Sequence, residues 1–178
     1  TFLGLHALQH RGQESAGISV SDGETIHTRR GQGLVSEVFS RDEYLEFEGN
    51  QAIGHVRYTT AGDSGLLNAQ PWVFRYTGGQ VAVAHNGNLV NAKRLRDQLE
   101  RQGSIFQTNS DTEVVSHLIA RAGPPIDHAF QDALRVIDGA YALLLMTEKQ
   151  MIAAQSPRGI RPLSLGQFEN ACVVSSVT

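Results

Sequence analysis

Hydrophobic and polar positions alternate along this chain in two rhythms, and each predicts a different element. A period of two runs through 16–21 and 25–30 on either side of Asp22-Gly23, a strong hairpin dipeptide, so an antiparallel pair is expected there. The same rhythm predicts strands at 34–39 and 51–56, a hairpin of 71–76 with 80–85 across Thr77-Gly78-Gly79, and shorter strands at 151–155, 163–165 and 171–177. Residues 140–147, AYALLLMT, are apolar at nearly every position, which suits a strand buried on both faces. Helical spacing takes over elsewhere. Phe2, Leu5 and Leu8 share one face; Leu95 and Leu99 do so in a segment that Asn91 caps and Gly103 stops. Ser110 and Glu113 form a capping-box pattern ahead of Val114, Val115, Leu118, Ile119 and Ala122. A further helix is expected over 127–137, with Ala129, Phe130, Ala133, Leu134 and Ile137 inward, and a short charged surface helix over 41–48. Hairpins together with amphipathic helices that need a sheet to cover predict an α+β fold of two stacked, mainly antiparallel sheets with helices outside.

One stretch breaks its own rhythm. In VAVAHNGNL, 81–89, an apolar alternating run ends in His85-Asn86-Gly87-Asn88, which reads as a tight polar turn at the end of a strand. Gly87 permits φ > 0 and a close backbone approach, and the Asn86 amide adds a donor beside it, so the pair can form an oxyanion hole or simply a common Asn-Gly turn. Arg57 ends the strand at 51–56 and precedes Tyr58, Thr59, Thr60 and a flexible Gly62; it suits a carboxylate held by two parallel hydrogen bonds, or a surface ion pair. Asp111 falls in the first turn of its helix, where the dipole favours the ionised form, ready for an ammonium group or serving only the helix start. His6 and His10 have the spacing of metal ligands on a helix, but no carboxylate or thiol cluster completes a site.

Composition narrows the classes. At 178 residues, 40% hydrophobic and 19% charged, the chain suits one compact domain or most of one. A net charge of −3, with no basic run longer than Arg29-Arg30, argues against a nucleic-acid surface. No apolar segment approaches the roughly 20 residues that span a bilayer, and there is no secretory pattern, so a cytoplasmic protein in solution is expected. The single cysteine, Cys172, excludes an internal disulfide; in its alternating strand it reads as a small buried side chain. No cap precedes Thr1, which suggests a chain entered partway through a helix.

Four motifs in order, LQHRGQESAG at 8–17, GHVRYTTAG at 54–62, AHNGNL at 84–89 and NSDTE at 109–113, resemble the class II glutamine amidotransferases. These are N-terminal-nucleophile hydrolases with a four-layer αββα sandwich. The RGQESAG wording and SPRGIRPL at 156–163 are most similar to the branch that passes ammonia to phosphoribosyl pyrophosphate in purine synthesis. The resemblance implies that Arg57 binds the glutamine α-carboxylate, Asp111 its α-ammonium, and Thr60 the same pocket. It implies that Asn86 and Gly87 form the oxyanion hole, that Tyr58 covers the pocket within a mobile loop, and that Arg11 helps fix the strand bearing the nucleophile. That nucleophile is a terminal cysteine whose own amine is the base. This chain begins with Thr1 in a helical pattern, so the cysteine is expected upstream and the 178 residues alone are expected to lack glutaminase activity. The expected domain is therefore 1–178, a glutaminase domain without its nucleophile strand or its downstream phosphoribosyltransferase domain. No metal or cofactor is expected in this chain; magnesium and an iron–sulfur cluster are implied only for the complete enzyme. Expected partners are glutamine, phosphoribosyl pyrophosphate through the further domain, and copies of itself when full length, with neither nucleic acid nor membrane. Competing readings are another member of the class, of the glucosamine-6-phosphate synthase, asparagine synthetase or glutamate synthase type; a glutamine-binding or interaction module that has lost the chemistry; and, more remotely, a metal hydrolase built on the seven histidines.

Overall fold

The computed structural model describes residues 1–39, 47–58 and 65–177. The opening helical spacing forms α1 (Phe2–Ala7), and the Asp22-Gly23 hairpin joins β1 (Ser15–Ser21) to β2 (Ile26–Gln32) in antiparallel register, Ser21 opposite Ile26. The Asp22 carboxylate accepts the N–H groups of Glu24 and Thr25 at 2.8 and 2.7 Å, so the turn satisfies its own donors. The strand expected at 34–39 is instead a short helix, α2 (Val35–Val38), whose N-terminus is closed by the Glu37 side chain on the Leu34 N–H at 2.7 Å. Val35 and Val38 bury one face of a single turn, a spacing that short apolar runs share with strands. The helix expected over 41–48 falls almost wholly outside the described residues.

Strand β3 (Gln51–Arg57) pairs with the other edge of β1, giving one three-stranded sheet of order β2-β1-β3. The second sheet begins with β4 (Trp72–Tyr76) and β5 (Gly79–Leu89). After α3 (Ala92–Arg101), α4 (Asp111–Ala122) and α5 (Ile126–Val136), it is completed by β6 (Gly139–Thr147) and β7 (Met151–Gln155) in the order β4-β5-β6-β7. A final hairpin, β8 (Ser164–Phe168) with β9 (Ala171–Ser175), forms a separate two-stranded sheet. The capping residue expected for α3 does other work: the Asn91 side chain donates to the Val136 carbonyl at 2.9 Å and accepts from the Asp138 N–H at 3.0 Å, stapling the start of α3 to the end of α5.

Strand alternation sorts the buried residues into three layers of core. Val81, Val83, Leu143 and Leu145 point to one face of the second sheet, where Leu95, Val115, Ile119 and Phe130 of the helices cover them. Their neighbours Ala82, Ala84 and Met146 point the other way and meet Ile26 and Ile53 of the first sheet. On the outer face of that first sheet, Ala16, Ile18 and Val20 pack under Leu5, Val35 and Val38. The layers run α1 and α2, sheet, sheet, then α3 to α5, which is the expected αββα sandwich. Each fully buried leucine or valine in these layers contributes roughly 1.5–3 kcal/mol. Strand β1 is buried along its whole length, with serines on the inter-sheet side that find partners: Ser19 Oγ lies 2.8 Å from Thr28 Oγ1, and Ser21 Oγ donates to the Glu148 carbonyl at 2.6 Å. Among the described residues no helix is long and apolar enough to cross a membrane.

Candidate functional site

The polar stretch 85–88 is not a turn. Strand β5 runs straight through it, and the ladder to β6 continues without a break: Asn86 faces Ala142, Gly87 faces Tyr141 and Leu89 faces Gly139. Gly87 has φ 149°, and a Cβ there would lie 2.0 Å from the Ala140 carbonyl oxygen, so no side chain fits. Gly139, φ 146°, makes the matching approach from the other strand, where a Cβ would come within 2.2 Å of the Asn88 oxygen. Two glycines thus let β5 and β6 close on each other where the strand reaches the site. The turn-like composition serves close packing.

This end of β5 floors a cleft of about 980 Å³. Arg11, Arg57, Tyr58, Asn86, Gly87 and Asp111 all line it, brought there from the loop before β1, the end of β3, the end of β5 and the start of α4. Thr60, the remaining candidate, lies outside the described residues. Tyr58 is 70% exposed at the rim. Arg11 donates to both the carbonyl and the hydroxyl of Ser176 at 2.8 and 3.0 Å, tying the turn after α1 to the chain that leaves β9.

Arg57 and Asp111 are already held by partners that the sequence does not advertise. Arg57 Nη1 meets Glu14 Oε1 at 2.8 Å, with both side chains largely buried, while Glu14 Oε2 is buried and finds no partner among the described residues. The pairing is enforced by the backbone, since the Glu14 N–H donates to the Arg57 carbonyl at 3.0 Å just before the β1–β3 ladder begins. Arg57 is therefore in an ion pair, and it is the Arg57 member that lines the cleft. Asp111 occupies the first position of α4, behind Ser110, whose hydroxyl accepts the Thr112 N–H at 3.2 Å. Its Oδ1 lies 3.2 Å from His85 Nδ1 and its Oδ2 accepts the Leu89 N–H at 2.9 Å. Burial pushes the Asp111 carboxyl up, but the hydrogen bonds from His85, Leu89 and Thr112 outweigh it and hold the pKa below 3.8, so the group is a carboxylate at neutral pH.

Behind these groups stand two histidines and a glutamine that sequence reasoning passed over. The His85 N–H donates to Gln70 Oε1 at 2.6 Å, and the His85 carbonyl accepts from His55 Nε2 at 3.1 Å. A carbonyl only accepts, so Nε2 of His55 carries the hydrogen. Burial pushes the His55 ring from 6.5 down to about 4, with the nearby His85 and Arg57 adding to the effect, which leaves a lone pair on Nδ1 that is buried without a partner among the described residues. Glu14, His55 and His85 each sit inside one of the quoted motifs, so the available signal was position within a motif; the contact itself is not local.

Asn86 and His55 also border a second, more apolar cavity of about 360 Å³, bounded by Leu5, Ala84, Leu144 and Val173. Cys172 lines it as an exposed free thiol, against the buried side chain expected. No three His, Cys, Asp or Glu side chains among the described residues are grouped to hold a metal ion.

The chain is similar over its whole length to proteins of known name. It is 54% identical over 180 residues to the amidophosphoribosyltransferase of Bacillus subtilis, covering 100% of this chain and 38% of that protein. It is 53% identical over 175 residues to the chloroplastic amidophosphoribosyltransferase 2 of Arabidopsis thaliana, of which it covers 31%. The chain thus spans about a third of the length of the relatives it matches. Among solved structures, the glutamine phosphoribosylpyrophosphate amidotransferase of B. subtilis complexed with ADP and GMP superposes with a TM-score of 0.93 at 53% identity, over 99% of this chain and 38% of that one. A predicted glutamine amidotransferase from Pseudomonas aeruginosa shares the fold at 17% identity, with a TM-score of 0.52. The family model for the glutamine amidotransferase domain matches residues 55–178, which takes in the end of β3, the whole of β5 and the start of α4 that build the cleft, and the chain belongs to that family.

Proposed function

We propose that the cleft binds free glutamine and that the chain is the glutaminase part of an amidophosphoribosyltransferase, releasing ammonia for transfer to phosphoribosyl pyrophosphate. The observation that carries this reading is the pair of opposite charges, Arg57 and Asp111, lining one cleft whose floor is Asn86 and Gly87. A free amino acid presents a carboxylate and an ammonium on one carbon; a cation and an anion held apart recognise both and reject amides that lack that head group. Arg57 takes the carboxylate in place of, or alongside, its bond to Glu14. Asp111 takes the ammonium. The side-chain amide then lies toward Asn86 and Gly87.

The proposed chemistry has two steps. The family's terminal cysteine, its thiol proton taken up by its own α-amine, attacks the amide carbonyl; the oxyanion is held by donors at Asn86 and Gly87 and collapses as the amide nitrogen receives that proton and leaves as ammonia. Water then hydrolyses the thioester to glutamate. The phosphoribosyl pyrophosphate site belongs to the remainder of a protein of the relatives' length, and the ammonia is consumed there. Similarity across the whole chain to amidophosphoribosyltransferases supports this branch over the glucosamine and asparagine branches.

Calorimetric titration with L-glutamine tests the head-group reading. The unaltered protein is expected to bind, and Arg57→Ala or Asp111→Ala to weaken binding by at least about tenfold, the scale of one lost charge-assisted hydrogen bond. Absence of binding at millimolar glutamine, or an affinity in either variant equal to that of the unaltered protein, would sink it.

A further inference from the structure

Within AHNGNL, His85 has the least evident purpose. Its side chain is 1% exposed, and its Nε2 is buried without a partner among the described residues. Leaving a ring nitrogen unsatisfied is costly, so the other nitrogen must make a bond that repays it. That nitrogen, Nδ1, lies 3.2 Å from Asp111 Oδ1 and 3.3 Å from Thr112 Oγ1. A carboxylate only accepts, so Nδ1 carries the hydrogen and donates to Asp111, which also fixes the ring's tautomer. The second carboxylate oxygen accepts from the Leu89 N–H at 2.9 Å. Asp111 is thereby pinned at both oxygens by one strand, with Asn86 and Gly87 lying between the two attachment points. Of the roughly four acceptor positions on the carboxylate, these two bonds and the one from the Thr112 N–H leave one open.

We propose that His85 is a positioning residue for recognition of the substrate α-amino group: it holds the Asp111 carboxylate, which lines the cleft, in one plane and in fixed relation to Asn86 and Gly87, with its remaining acceptor position free for an ammonium. The inference rests on the glutamine reading. It differs from a packing role because it predicts selectivity for one part of the ligand. A histidine that merely fills the core affects every ligand of the cleft alike; a histidine that orients Asp111 affects only ligands that present an ammonium.

The test compares L-glutamine with glutaramate, the same molecule without its α-amino group, on the unaltered protein and on His85→Leu and His85→Asn. Leucine fills the space and removes the donor, whereas the asparagine amide can place an N–H where Nδ1–H stood. His85→Leu is expected to weaken glutamine by about tenfold and leave glutaramate within about twofold, and His85→Asn to recover most of the glutamine affinity. Equal losses for the two ligands in His85→Leu, or an asparagine variant no better than the leucine one, would overturn the proposal. Should His85→Leu not fold, nitrogen NMR of the imidazoles in the unaltered protein decides: His85 must show the Nδ1-protonated tautomer, and Asp111→Asn must shift its Nδ1 resonance, while an unmoved resonance refutes the contact. If the unaltered protein binds neither ligand, the glutamine reading fails on its own, and the same spectrum still rules on the bond between His85 and Asp111.

Discussion

A neutral imidazole in the wall of a charged cleft makes the site sensitive to acid, and His55 is that imidazole. Its folded pKa is about 4 against an ordinary 6.5, so between those values the unfolded chain takes up a proton at this position that the folded chain refuses. Unfolding is then favoured by falling pH: the stability His55 lends is complete above 6.5 and lost as the pH drops toward 4, by up to about 3 kcal/mol. Urea midpoints recorded from about pH 7 down to about pH 4.5 should fall steeply, and His55→Gln, which keeps a donor toward the His85 carbonyl and cannot titrate, should flatten that slope. Parallel curves for the two proteins would show that other groups set the acid response. At this scale the sequence spoke unevenly. Arg57 and Asp111 stand out as charges at the ends of elements, but Glu14 is separated from Arg57 by a whole hairpin and His85 from Asp111 by a helix. Pairings of that separation leave no local trace.

The start of α4 shows how an element can keep its predicted ends while its side chains do something else. Ser110 caps as expected, yet Glu113 does not reach back to complete a capping box. It is buried, and its carboxylate accepts from the Gln107 N–H, the Thr108 N–H and the Thr108 hydroxyl, each at 2.8 Å. Arg96 donates to the Thr108 carbonyl and lies over the Phe106 ring at 4.1 Å, so the loop 104–110 is held from both sides. That loop delivers Asn109 and Asp111 to the cleft. Glu113→Gln keeps the shape but leaves an amide N–H facing donors, and is expected to cost about 2 kcal/mol in urea unfolding with an unchanged denaturant slope. A loss within about 0.5 kcal/mol would mean the loop is held by Arg96 and Phe106 instead. The other departures have the same origin. Asn-Gly in β5 carries every mark of a hairpin turn, and only the facing strand β6, with its own glycine at 139, makes it a continuous ladder. Residues 35–38 form a single helical turn, too short for periodicity to separate from a strand.

For the whole molecule the layer order was legible, because binary patterning decides which face of each strand is buried and the number of amphipathic helices decides how many faces need cover. The depth between the sheets was not. Ala82 and Ala84 of β5 and Ser19 and Ser21 of β1 keep much of that layer thin, and Gly17 lets the chain at Gln70 press onto β1, where a Cβ would come within 2.1 Å of the Gln70 oxygen. Gln70 in turn grips the His85 N–H. Strand β5 is thus clamped by β4 and β6 at its sides and by the opposite sheet beneath, and Asp111 is bolted to it at His85 and Leu89. Such a strand works as a ruler. The interval between the seat for an ammonium and the seat for a side-chain carbonyl is set by the rise of two or three extended residues, and neither end can slide to meet a ligand of another length. Asparagine, one methylene shorter, should bind at least about tenfold more weakly than glutamine in the same titration, with Asp111→Ala narrowing the gap. Comparable affinities for the two amino acids would reveal a compliant site. A scale marked on a buried ladder also needs no recalibration as the ligand arrives, so discrimination by length should persist across temperature as long as the sandwich itself stays folded.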